Sequence, residues 1–236
     1  MDVFVQKPEV ATVIAFRTTG EGRSDLVVVG PRTRGAYNPN KELPVCVRVR
    51  LRPGRARSVL GVPVAELADR AVSIEALWGA AGRRLTASLA SARDPEDVAS
   101  RLAAALAERV LPGVAERVLP GVAGLVESAA RAISRPGARL SEVADRLGVS
   151  ERHLRNVFAR EVGLSPKHYA RISRVRTVLD LAGREPWTEV ASRAGFFDQA
   201  HMIGDFRSMM GVSPGAFLAG RLPAATPCGF SAVRPA

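Results

Sequence analysis

Apolar and polar positions follow different periods in the two halves of the chain. Up to about Arg55 the apolar residues come in short β-branched runs, ATVIAF, DLVVVG and PVCVRVRLR, separated by the turn-forming clusters TTGEGRSD and YNPNKELP. Such runs bounded by Gly, Pro and Asn predict strands. In PVCVRVRLR the apolar residues alternate with Arg48, Arg50 and Arg52, the period-2 pattern of a half-buried strand. Those arginines either form a solvated sheet face or line a ligand site. From Arg55 the pattern changes to short helices, ARSVLG, PVAELADRA and SIEALWGAAGRRLTASLA. Asp94, followed by Pro95, Glu96 and Asp97, has the chemistry of an N-cap and first turn and predicts a helix running toward Val110.

The segment AERVLPGVAERVLPGV, residues 107–122, is an octapeptide written twice, too few copies for a solenoid. Each Pro-Gly pair stops a helix, so this segment is expected to be an interdomain linker. Helical periodicity resumes with GLVESAARAIS. The organisation expected is a domain over 1–106, the linker over 107–122, a helical domain over 123–221 and a flexible tail over 222–236.

A second repeat carries more information. VADRLGVSERHLRNVFAREVGLSPKHY, from Val143, aligns with VASRAGFFDQAHMIGDFRSMMGVSPGAF, from Val190. Gly148 matches Gly195; after one inserted residue Ser150 matches Asp198, His153 matches His201, Phe158 matches Phe206 and Pro166 matches Pro214. Each copy reads as helix, tight turn, helix. The glycines supply the backbone freedom of the turn, and Ser150 and Asp198 fall where an N-cap belongs. Leu154, Val157 and Phe158, and Met202 and Phe206, have the spacing of a buried face. This places Arg152, Arg155, Asn156 and Arg160 on one outer face, and Gln199, Ala200, Ile203, Gly204 and Arg207 on the other. A helix with polar side chains opposite an apolar face suits insertion into a DNA major groove. The segment from Pro166 to Gly183 is expected to form a connecting helix of roughly 25 Å at about 1.5 Å per residue. Its Arg171, Arg174 and Arg176 either touch phosphates or are held in solvated or intramolecular pairs.

Charge supports a polyanionic partner. The chain has a net charge of +11 and a pI near 11.1. The excess sits at both ends, with 11 basic and 5 acidic residues in 1–60, 7 and 9 in 61–130, and 16 and 9 in 131–236. The Arg-rich composition also fits a genome rich in G and C. Cys46 and Cys228 are far apart and have no His or Cys at metal-ligand spacing, so no disulfide framework or zinc site is expected. No secretory signal or spanning helix is expected either, which points to the cytoplasm.

These residues identify a resemblance. Residues 131–221, with the closing signatures FAREVGLSP and FRSMMGVSP and the stretch GFFDQAH, resemble the DNA-binding domain of the AraC/XylS family of bacterial transcription regulators. VVVGPRTR, RLRPGRARSVLGVPVAELADR and ALWG resemble the sensor or dimerisation region of one branch of that family, a cupin-like partial barrel. The resemblance implies an α+β two-domain protein: an N-terminal β-rich partial barrel with short helices, and a C-terminal all-α domain of two helix-turn-helix units joined by a linker helix. Base-reading positions carried over from the family fall on Arg152, Arg155 and Asn156, and on Gln199, Ala200, Ile203 and Gly204. Arg160 and His201 are further expected DNA contacts. Asn156 and Gly204 stand where the family commonly has Arg. Asn can pair with adenine, whereas Gly reads nothing. The second unit is therefore expected to bind chiefly through the phosphate backbone, with specificity carried by the first.

The function expected is a sequence-specific DNA-binding transcription regulator. Double-stranded DNA is the partner, and a small-molecule effector at the N-terminal domain, RNA polymerase and a second copy of the chain are further partners the resemblance leaves open. No cofactor, metal or membrane is expected. An alternative is a sensor or protein-interaction module whose DNA-reading surface is degenerate. An enzyme such as a DNA-repair alkyl acceptor would need a reactive cysteine, and no His or Cys in the sequence is placed to activate Cys46. Asp198 with His201 fails as a catalytic pair because no nucleophile accompanies it.

Overall fold

The computed structural model describes residues 3–40, 43–109 and 121–226. The predicted runs become β2 (Val13–Thr18), β3 (Ser24–Val29) and β5 (Val45–Arg50), and with β6 (Ala71–Ser73) they form an antiparallel sheet of order β5-β2-β3-β6. Period-2 patterning sends Ile14, Phe16, Leu26 and Val28 to one face of this sheet. There they pack under α1 (Ala56–Leu60), α2 (Ile74–Trp78), α3 (Ala80–Ala90) and α4 (Pro95–Glu108). Asp94 caps α4, its carboxylate accepting from the Asp97 N–H at 2.8 Å. Trp78 belongs to this core, with the Arg109 guanidinium 4.2 Å above its ring.

Three readings of this half are corrected. YNPNKELP was expected as a turn cluster, but Ala36–Pro39 is a strand, β4, paired antiparallel with β1 (Val3–Gln6). PVAELADRA was expected as a helix. It forms one 3-10 turn, Val64–Leu67, before Asp69 adopts a left-handed φ of 56° and the chain enters β6. The helix expected over SIEALWGAAGRRLTASLA is broken at Gly79, which has φ 57° and ψ −130°.

The C-terminal half follows the repeat. After α5 (Val122–Ile133) come α6 (Leu140–Arg146), α7 (Glu151–Val162), α8 (Pro166–Leu181), α9 (Trp187–Arg193), α10 (Gln199–Met210) and α11 (Pro214–Leu218). The Ser-Pro signatures have a local cause. Ser165 and Ser213 cap α8 and α11 by accepting from the His168 and Ala216 N–H groups, and the proline occupies the first turn, where its missing donor costs nothing. Among the described residues no helix is long and apolar enough to cross a membrane. Most of the duplicated octapeptide, residues 110–120, lies outside the described residues.

The two-stranded sheet joins the halves. Its Tyr37, with Val3 and Val5, belongs to the helical core, and the Tyr37 hydroxyl donates to the Met210 carbonyl at 2.6 Å. The Gly35 N–H donates to the Met209 carbonyl at 2.8 Å. Carbonyls left over at the C-terminal end of α10 are thus satisfied by a strand from the far end of the chain. The expected tail begins by packing: Leu222 lies against the helical core, and the Thr226 N–H donates to the Tyr37 carbonyl at 2.8 Å. Residues 227–236 lie outside the described residues.

A second junction holds α7 against the N-terminal half. Gly163 ends α7 in the left-handed region with φ 78°, and a Cβ there would stand 2.7 Å from the Val64 carbonyl oxygen. Gly148 has a similar φ of 66° but open space around it. Gly148→Ala is therefore expected to cost only the left-handed penalty of about 1–2 kcal/mol. Gly163→Ala pays that and also disturbs the junction. Chemical denaturation of the two variants checks this: the expected result is a lower midpoint for Gly163→Ala than for Gly148→Ala.

Candidate nucleic-acid interface

Both second helices begin with the caps that their sequence specifies. The Ser150 hydroxyl accepts from the His153 N–H at 3.2 Å, and the Asp198 carboxylate accepts from the His201 N–H at 2.7 Å. Leu154, Phe158, Met202 and Phe206 are fully buried behind them, which fixes the roll of α7 and α10 and decides which residues face outward.

On α7, Arg152, His153, Arg155, Asn156 and Arg160 are exposed. Among the described residues Arg152 and Asn156 make no side-chain hydrogen bond. Arg155 pairs with Glu151 one turn earlier. Arg160 leans away onto Glu161, its Nε 2.9 Å from a carboxylate that is fully buried and also held by Arg57 at 3.2 Å. Arg160 therefore helps to neutralise the junction with α1.

On α10, Ala200, His201, Gly204 and Arg207 are exposed and Gln199 is half-buried. Ile203 is half-buried and packs partly against the helical core, so it is less outward than the periodicity predicts. His201 sits edge-on to Phe196 with ring centroids 5.3 Å apart, and its Nε2 is 3.9 Å from Asp205. Among the described residues no group of three His, Cys, Asp or Glu side chains could hold a metal ion.

For the connector α8, the choice between phosphate contacts and internal pairs falls on internal pairs. Arg171 donates to Asp205 through Nε at 3.1 Å and Nη2 at 2.8 Å, and Arg174 reaches the other carboxylate oxygen at 3.4 Å. Arg174 also stacks 4.8 Å over the Phe196 ring. Burial lowers its pKa from the usual arginine value, an effect that Asp205 opposes. Arg176 pairs with Glu9 at 3.0 Å.

Asp205 is the residue the sequence reading missed. A signal was present, because in the repeat it stands opposite Val157, a buried apolar position in the first unit. A carboxylate at a core-facing position needs cations, and α8 provides them. Asp205→Asn keeps the shape and removes the charge, leaving two arginines that are each less than a third exposed without it. The expected loss is about 1–2 kcal/mol of stability, with weaker DNA binding through α10 and binding through α7 unaffected. Denaturation and DNA-binding titrations of the variant check both parts.

A fold of two capped helix-turn-helix units, each presenting a solvent-facing second helix, defines a DNA-binding module. Residues 143–220 match the family described as a helix-turn-helix domain. The C-terminal region of the chain is thus a helix-turn-helix domain. Several solved structures are similar. The C-terminal domain of AraT, a response regulator from Geobacillus stearothermophilus, is 26% identical over 49% of this chain and 97% of its own, with a TM-score of 0.40. The DNA-binding domain of AdpA, a global transcriptional factor in complex with a target DNA, is 27% identical over 42% of this chain and 90% of its own, with a TM-score of 0.38. ToxT from Vibrio cholerae O395 is 12% identical over 92% of this chain and 96% of its own, with a TM-score of 0.45. No curated protein matches the sequence.

Proposed function

We propose that this chain is a sequence-specific DNA-binding transcription regulator that places α7 and α10 in successive major grooves. The observation that carries the reading is the pair of capped second helices, one of which leaves Arg152 and Asn156 outward and uncommitted. Arg pairs bidentately with guanine and Asn with adenine, so α7 has base-reading chemistry. In the repeat, Arg152, Arg155 and Asn156 correspond to Ala200, Ile203 and Gly204. At those three positions α10 carries no long polar side chain, which leaves Gln199 as its one polar base-reading candidate, and its share of binding is chiefly backbone contact. Base reading by Arg152, Arg155 and Asn156, with the cytoplasm as setting, belongs to this proposal. The N-terminal half is the effector-sensing part, supported by a cavity of about 580 Å³ between the two sheets, within the range of small-molecule sites.

Hydroxyl-radical footprinting of the full-length protein on a bound duplex tests the proposal. Two protected segments on one face, about one helical turn apart, are expected. A single segment would restrict binding to one unit, and no protected segment would favour a sensor or protein-interaction module with a degenerate DNA-reading surface.

A further inference from the structure

The cavity has one apolar floor and a rim of cations. Val13, Ala15, Val27 and Val29, on the face of the four-stranded sheet opposite the core, form the floor, and Phe4 and Asn38 of the β1/β4 sheet face them. Lys7, Arg17, Arg32, Arg48, Arg50 and Arg176 line it as well, against one lining carboxylate, Glu9. Glu9 is already engaged. Its Oε1 accepts from Arg50 at 2.8 Å and from the Ala11 N–H at 3.1 Å, and its Oε2 accepts from Arg176 at 3.0 Å. Arg17 is paired with Asp25.

Two cations remain under-compensated. Arg48 is exposed to the cavity and, among the described residues, has no ion pair. Arg32 bonds to Gln6 and the Lys7 carbonyl, yet its buried Nε has no hydrogen-bond partner. Its pKa is lowered by burial and by the neighbouring Arg48. A buried donor without a partner beside a like charge is costly, and an anion between these two residues would relieve both terms.

We propose that the cavity binds a small amphipathic anion, a carboxylate or phosphate monoester on an apolar body, with Arg48 and Arg32 as its principal cations. The inference rests on the reading of the N-terminal half as the effector-sensing part and adds the chemical class of the ligand. Its consequence for control follows from position. Arg176 belongs to α8, and the other face of the β1/β4 sheet is part of the helical core that ends α10. A ligand here touches the connector helix and the strand bonded to the end of the second reading helix, so its affinity and that for DNA are linked.

Calorimetric titration of the full-length protein with 2-naphthoate, 2-naphthyl phosphate and neutral 2-naphthol tests the class. The expected result is that at least one anion binds about tenfold or more tightly than naphthol, and the better of the two names the head group. Arg48→Gln is expected to weaken the anion by about tenfold, the scale of one lost charge-assisted hydrogen bond. Arg52→Gln, the same charge change two residues along and outside the cavity lining, is expected to leave it unchanged. Equal binding of naphthol and the anions would overturn the anion class while leaving a cavity ligand in place. Absence of binding, or identical affinities for Arg48→Gln and the unaltered protein, would overturn the inference, and footprinting on DNA reads the regulator proposal independently.

Discussion

Phe206→Ala is expected to remove about 3–5 kcal/mol of stability, the range for deleting a fully buried aromatic ring. Total stabilities are typically about 5–15 kcal/mol, so this is a large share. Phe206 is completely buried, edge-on to Phe217 with centroids 5.8 Å apart, and it sets the roll of α10 against α8. Because Tyr37 and the first strand share that core, the loss should also free the β1/β4 sheet. The two tryptophans report on different cores, Trp187 on the helical one and Trp78 on the one beneath the four-stranded sheet. In denaturant titrations Trp187 fluorescence is expected to change at a much lower midpoint in the variant. An unchanged Trp187 midpoint would contradict the packing described for α10.

The second large effect is on recognition. With Arg152 and Arg155 both changed to Ala, the preference for a bound site over a scrambled duplex is expected to fall by at least about tenfold, since each good bidentate contact gives about 1–3 kcal/mol of discrimination. Residual binding should persist and weaken steeply with salt, because the phosphate term does not depend on those side chains. Neither residue is buried, so the midpoint of unfolding should stay close to that of the unaltered protein. Competition titrations with the two duplexes provide the ratio. A preserved ratio would move base reading elsewhere.

What the sequence made legible was local chemistry. Ser150, Asp198 and the two Ser-Pro steps each specify a cap through groups a few residues away, and all four caps form. The alternation around Arg48 and Arg50 likewise places both on one face. Features that depend on distant partners were hidden. AYNP has poor strand chemistry, yet it is held as β4 by pairing with β1 and by the bond from Tyr37 to Met210, across 173 residues. The fate of Arg171 and Arg174 depended on Asp205, which reads as an ordinary helix charge until the repeat sets it against Val157. Arg17, Arg32 and Arg176 join the cavity from β2, the segment before β4 and α8, and no single pattern along the chain unites them.

Selection of random duplex DNA by the purified full-length protein at near-physiological salt, with sequencing of the bound fraction, tests the central claim most directly. The account predicts a motif of two blocks about one helical turn apart, the stronger read by α7 and the weaker facing the helix that contains Gly204. Recovery of no motif, with binding that vanishes as salt rises, would contradict it.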